Sequence, residues 1–143
     1  MSKSRPFPEF LIDLPAKWTN QTSYLLMGPQ DTGAPVAMAV TLDRQIQDDD
    51  LESFARIRID MLSESMGGFE TVKEGIAELP SGREAYEIVY KWIPSEDTVV
   101  FRKYVYLIMD DVGFTFTGDF TKKTLKTVGV EMMQIIDSLR SVE

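Results

Sequence analysis

The stretch from residue 69 to residue 118 restricts the fold most, because apolar and polar side chains alternate along it. A period of two indicates β-strands, and Gly75, Pro80 and Gly82 interrupt the pattern. We predict strands over residues 71–79, 83–92, 99–109 and 113–118. The connections between these strands are short, which predicts an antiparallel meander.

Three shorter apolar segments precede this stretch. Pro15 ends the first, because proline cannot donate a hydrogen bond to a sheet, and Gly28 and Pro29 end the second. We predict strands over residues 10–14, 23–27 and 36–42.

Two further segments carry apolar residues three and four positions apart, which is the pattern of an amphipathic helix. The first covers residues 50–66, where Asp49 as the N-cap would place Glu52 so as to complete a capping box. The second covers residues 122–139, with Thr121 as its cap. The stripe of the first helix that is predicted to face the core consists of Leu51, Phe54, Ile57, Met61 and Leu62.

The order βββ-α-ββββ-α predicts an α+β fold, in which an antiparallel sheet of about seven strands packs against two helices. The 143 residues suit one domain, covering residues 1–143. No stretch approaches the ~20 apolar residues that cross a bilayer, and the N-terminus lacks the apolar core of a signal peptide. We therefore expect a cytoplasmic protein that does not insert into the membrane.

The sequence contains neither cysteine nor histidine. This excludes disulfide scaffolds, thiolate zinc sites and Ser-His-Asp triads. Asp110, Asp111 and Asp119 fall at predicted turns, and the acidic run at residues 48–50 fits a helix start better than a cation site. We predict that the protein is not an enzyme and has no catalytic residue, metal ion or cofactor.

The charge of the chain bears on its partners. The net charge is −8, and the 15 lysines and arginines form no run. Binding to nucleic acid requires clustered basic residues, so we expect no nucleic-acid partner.

Aromatic and aliphatic residues occur on both predicted faces of the sheet. The second face is either merely amphipathic or an apolar groove for a partner, since large exposed apolar patches usually mark interaction sites. The predicted packed face carries Ile88, Tyr90, Trp92, Phe114 and Phe116. The face predicted to point away from the helices, and to bind a partner, carries Val89, Lys91, Arg102, Tyr104, Tyr106, Thr115 and Thr117. Sequence alone does not fix the register between strands, so the two faces can be exchanged.

The opening FLIDLPAKW at residues 10–18 and the closing IIDSLR at residues 135–140, with the strand and helix order between them, resemble the DcrB-like family. The resemblance covers nearly the whole chain and implies the PsbP-like α/β sandwich fold. Members without a signal peptide are similar to the Eag chaperones of bacterial type VI secretion, which hold apolar transmembrane segments of effectors in the cytosol. The resemblance thus implies a chaperone or adaptor, expected as a homodimer, whose partner is an effector protein with apolar segments.

Two alternatives stay open. One is a small-ligand binding or enzymatic domain that uses the groove, with Arg102 and Tyr104 as polar contacts. The other is a generic protein-interaction domain of the same fold. A deep closed pocket with convergent polar groups would favour the ligand site, whereas a broad open apolar face would favour the chaperone.

Overall fold

Six antiparallel strands form one sheet within the part of the chain that the structure describes. The computed structural model describes residues 15–17, 22–27, 37–44, 46, 50–65, 70–95 and 98–140. The strands are β1 (Thr22–Met27), β2 (Ala37–Asp43), β3 (Glu70–Glu78), β4 (Glu84–Ser95), β5 (Thr98–Met109) and β6 (Val112–Phe120). Their order in the sheet is β1-β2-β6-β5-β4-β3. The predicted meander is therefore confirmed as β3 to β6, and the β1–β2 pair joins it along β6.

The strand predictions hold with ends displaced by three residues at most. The strand predicted over residues 10–14 lies outside the described residues. At the β5–β6 turn, Asp110 and Asp111 both have positive φ, at 53° and 62°. Two such residues form the tight turn that matches the twist of a hairpin, so the turn prediction is confirmed for Asp110 and Asp111. It is wrong for Asp119, which lies within β6 and pairs with Arg102 of β5.

Three helices accompany the sheet: α1 (Leu51–Ser65), α2 (Lys122–Leu125) and α3 (Val128–Asp137). The single final helix predicted from the sequence is thus divided. Its predicted cap at Thr121 is confirmed, since Thr121 and Thr124 each bind the other's backbone N–H through the side-chain oxygen, at 3.1 and 2.8 Å. Thr127 then donates its hydroxyl to the carbonyl oxygen of Thr124 at 3.4 Å. At the break, the backbone N–H groups of Lys126 and Thr127 bond to carbonyl oxygens three residues back, at 3.3 and 3.2 Å, which is the 3₁₀ pattern.

The start of α1 differs by one residue from the predicted capping box. Asp50 is the cap, and its carboxylate accepts a hydrogen bond of 2.8 Å from the backbone N–H of Ser53. Ser53 therefore occupies the third helical position that was predicted for Glu52, and Asp49 lies outside the described residues. The Ser53 hydrogen bond lowers the pKa of the Asp50 carboxyl.

The two faces of the sheet are covered by different helices. On the first face, which we call the α1 face, Phe54 and Ile59 of α1 pack on tyrosines of β4 and β5. On the opposite face, the α3 face, Met132 and Ile136 of α3 pack on Phe116 and its neighbours. The prediction of one packed and one free face is therefore wrong, because each helix buries its own apolar stripe on its own side of the sheet.

Among the described helices, none is both long and apolar enough to cross a membrane.

Candidate functional site

A groove of about 590 Å³ opens on the α1 face. It exists because α1 packs mainly over β4 and β5 and reaches β6 and β2 at one end, through Phe54 and Arg58. No described helix covers the rest of the same face of β6, β2 and β1. The groove lies between α1 and these strands. We call the groove, together with its continuation across β1, the trough.

The floor of the trough is made of small side chains in two cross-strand rows. In one row, Thr117 of β6 lies between Ala39 of β2 and Tyr104 of β5. In the next row, Thr115 lies between Thr41 and Tyr106 in the same way. The rings of Tyr104 and Tyr106 are stacked, with centroids 6.2 Å apart and planes inclined by 6°. The floor is therefore low over β2 and β6 and rises at the tyrosines of β5.

The two long sides of the trough are apolar and exposed. On one side, Ile57 and Met61 of α1 are 49% and 63% exposed. On the other side, Leu25 is 69% exposed and pairs with Ala39, so it points to the α1 face. Apolar side chains that line both sides of an open channel form the kind of patch that marks an interaction site.

One end of the trough is closed by an aromatic and ionic cluster. The ring of Phe54 sits over Gly113, where a Cβ atom would overlap it. The guanidinium of Arg58 stacks on the same ring, 3.8 Å from its centroid. Arg58 also forms an ion pair with Asp43. The cluster therefore blocks the passage between α1 and the end of β2.

A bidentate ion pair lies at the other end of the trough. Arg102 donates to both carboxylate oxygens of Asp119, at 2.7 and 3.0 Å. Its guanidinium lies 5.9 Å from the ring of Trp92. Hydrogen bonding to Asp119 raises the pKa of Arg102, so this end carries two opposite charges that neutralise each other.

The structure brings together four of the seven predicted partner-binding residues. Tyr104, Tyr106, Thr115 and Thr117 all line the groove, and Arg102 lies next to them at the end of the trough. The two predicted residues of β4, Val89 and Lys91, do not line the groove, because they lie on the α3 face.

The register between β4 and β5 explains the division. Val89 pairs with Lys103, and Lys91 pairs with Phe101. Residues of β4 with odd numbers therefore share a face with odd-numbered residues of β5, whereas the prediction had combined odd with even. The predicted packed face is divided for the same reason. Ile88, Tyr90 and Trp92 lie on the α1 face with Tyr104, whereas Phe114 and Phe116 lie on the α3 face.

Several trough residues were missed by the sequence reasoning. Ile57 and Met61 were assigned to the buried stripe of α1, but both are exposed. The predicted stripe residues Leu51, Phe54 and Leu62 do pack on the sheet, together with Ala55 and Ile59. A signal was present in the sequence, because the apolar residues of this helix span a wider arc than one buried face requires. Thr41 and Leu25 gave no comparable signal, since their position depends on the pairing of β1 and β2 with β6.

Two buried tyrosines near α1 differ in their hydrogen bonding. Tyr86 donates to Glu74 at 2.8 Å and accepts from Arg56 at 2.9 Å. The hydroxyl of Tyr106, which lies under the trough, has no hydrogen-bond partner among the described residues. Burial raises the pKa of both phenols.

On the α3 face, Glu87 is a buried carboxylate, 3% exposed, beside the predicted residues Val89 and Lys91. Lys73 and Lys103 approach it at 2.9 and 3.3 Å. Burial alone would raise the pKa of Glu87, but the hydrogen bond from Lys73 and the charge of Lys103 outweigh burial and lower it. The carboxylate therefore stays charged and holds the two lysines over β4.

The comparisons with known proteins concern the fold. No protein-family model matches the sequence, and no curated protein matches it. The structure is similar to PA94 of Pseudomonas aeruginosa, a protein of unknown function that is described as a suggested regulator. The TM-score is 0.67 at 16% identity, over 91% of this chain and 90% of PA94. That likeness shows a shared fold.

The structure is also similar to the PsbP protein CyanoP of the cyanobacterium Synechocystis sp. PCC 6803. Here the TM-score is 0.49 at 12% identity, over 90% of this chain and 96% of CyanoP.

Proposed function

We propose that this protein is a chaperone or adaptor without catalytic activity, whose trough binds an apolar, transmembrane-like helical segment of a secreted partner. The observation that carries the proposal is the trough itself. It has exposed apolar side chains on both long sides and a floor of alanine and threonine between them. As lined by the described residues, it is an open channel rather than a closed pocket, which favours a polypeptide segment over a small ligand.

The width of the trough suits one helix. Neighbouring strands lie about 4.8 Å apart, so the axes of β6 and β1, whose Leu25 forms the far side, are about 10 Å apart. An α-helix with its side chains has a diameter of about 10–12 Å. The uncovered strip therefore accommodates a single helix lying along the strands, with α1 on one side and Leu25 on the other.

The floor suits an apolar helix in particular. Ala39, Thr41, Thr115 and Thr117 are small, and small residues let a helix approach a surface closely. Threonine also presents both a methyl group and a hydroxyl group, so the floor gives dispersion contacts together with a few hydrogen-bonding groups. An apolar segment in water would aggregate, and burial in the trough removes its surface from water.

The proposal includes the finer assignment that the sequence resemblance implies. The protein is then a DcrB-like, cytoplasmic homodimer of a bacterium, and its partner is an effector of type VI secretion. The antiparallel sheet with helices agrees with the fold that this assignment requires. The fold alone is compatible with many functions, so the partner has to be tested directly.

The test measures binding of a fluorescent peptide with an uncharged Leu/Ala stretch of about 20 residues and lysines at both ends. Ile57→Glu places a charge on the side of the trough, and we expect it to weaken binding at least about tenfold. Ile135→Glu is the matched control, because Ile135 is 47% exposed on α3, on the opposite face. Equal losses in both variants, or no binding by the unaltered protein, would overturn the proposal.

A further inference from the structure

The trough has two defined ends, and their separation sets the length of what it can hold. Gly113, under the Phe54 ring, marks the closed end, and Asp119, paired with Arg102, marks the other. Both residues belong to β6 and are six positions apart. At about 3.3 Å per residue, the floor between them is about 20 Å long.

We infer, on the basis of the proposed function, that the trough selects an uncharged helical stretch of about 13 residues. This number follows from the helical rise of about 1.5 Å per residue over a floor of about 20 Å. A segment that spans a bilayer needs about 20 residues. One trough therefore holds about two-thirds of such a segment.

The charges of the trough support this limit. Between the two ends, the described lining consists of serine, threonine, alanine, tyrosine, leucine, isoleucine and methionine side chains. The charged groups are confined to the ends and neutralise each other in pairs, Arg58 with Asp43 and Arg102 with Asp119. The floor thus offers no counter-charge to a bound segment, and a charged residue within it would lose its hydration without compensation.

The ends also determine where a longer segment leaves. Phe54, Gly113 and Arg58 block one end. Asp119 at the other end is half-exposed, and no described residue rises above it as Phe54 does above Gly113. Among the described residues, the exit for the remaining residues of a longer segment therefore lies past Arg102 and Trp92.

A series of labelled peptides tests the inference. Each has an uncharged Leu/Ala stretch of about 7, 10, 13, 16 or 20 residues between pairs of lysines. We expect the affinity to rise by about tenfold or more from the shortest peptide to the peptide of about 13 residues, and then to stay within about twofold. A continued rise up to about 20 residues, or a plateau at about 7, would overturn the inference. Absence of binding at every length would instead overturn the proposed function.

A variant of the protein distinguishes a length limit that the trough sets from a length dependence that belongs to the peptides themselves. In the double variant Arg102→Met, Asp119→Leu, the polar end becomes apolar, and the plateau should move to a stretch longer than about 13 residues. The double variant Glu131→Leu, Gln134→Leu on α3 adds apolar surface on the opposite face and should leave the plateau where it is. Circular dichroism verifies that both variants are folded. An unchanged plateau in the Arg102 and Asp119 variant would contradict the inference.

Discussion

The ring of Phe54 lies over the α-carbon of Gly113, and no side chain fits at that position without overlapping the ring. Phe54 is fully buried, so it has no free space into which to move. The contact joins α1 to β6, and at the same time it closes one end of the trough. A single close approach thus contributes both to the stability of the fold and to the shape of the proposed binding site.

Gly113→Ala should therefore destabilise the protein by about 1–3 kcal/mol, which is the usual cost of overpacking a core. The added methyl group would overlap Phe54 and press on Ile46. Urea unfolding followed by circular dichroism measures the change. A stability equal to that of the unaltered protein would show that α1 can move away from the sheet at no cost.

Gly129→Ala should have the opposite effect. Gly129 lies in the first turn of α3, and a Cβ atom there would meet its nearest neighbour, Leu125 Cδ1, at an ordinary 3.5 Å. Alanine is favoured over glycine in a helix by up to about 1 kcal/mol. The variant should unfold at a higher urea concentration with an unchanged slope. A loss of stability would mean that α2 and α3 pack more tightly than these distances indicate.

Tyr106→Phe and Tyr86→Phe form a matched pair of variants. The Tyr106 hydroxyl is buried without a described partner, so its removal should leave the stability unchanged or raise it by about 1 kcal/mol. The Tyr86 hydroxyl bonds both Glu74 and Arg56, and its loss should cost about 1–2 kcal/mol. Both free energies of unfolding come from urea titrations. Equal effects would contradict the difference in hydrogen bonding.

Glu87 should make the stability depend on pH in the acid range. Its pKa in the folded protein lies below the ordinary value of 4.5. The ion pairs therefore stabilise the fold fully above about pH 4.5, and this contribution is lost as the pH falls through the folded pKa. Glu87→Gln should cost about 1–3 kcal/mol near pH 7 and less below about pH 4.

The control for this experiment is Glu131→Gln. Glu131 is an exposed residue in the first turn of α3 and forms no ion pair with another described residue, so the substitution should change the stability by less than about 0.5 kcal/mol. Denaturant titrations at several pH values give both curves. If the free energy of unfolding of the Glu87→Gln variant differs from that of the unaltered protein by the same amount at every pH, the two lysines do not hold the Glu87 carboxylate as described.

The sequence predicted the elements of the fold better than the relation between them. Strand and helix periods are local properties, so the meander and the α1 segment could be placed from them. The assignment of Val89 and Lys91 to the face of Tyr104 failed, because strand pairing is not a local property and a shift of one residue exchanges the faces. Ile57 was assigned to the core for a related reason, since periodicity gives an apolar arc but not which part of it meets the sheet.

The two helices are offset sideways, since α1 packs over β4 and β5 whereas α3 packs over β6. The middle of the sheet therefore has a helix on each side, while the outer strand β1 has no described helix on its α1 side. Amide hydrogens of β1 should then exchange with solvent sooner than those of β5, because local opening there disturbs fewer buried groups. A segment lying in the trough would add a layer on that side of β1. Binding of such a segment should slow deuterium uptake in β1 and β2. This measurement requires no label on the partner.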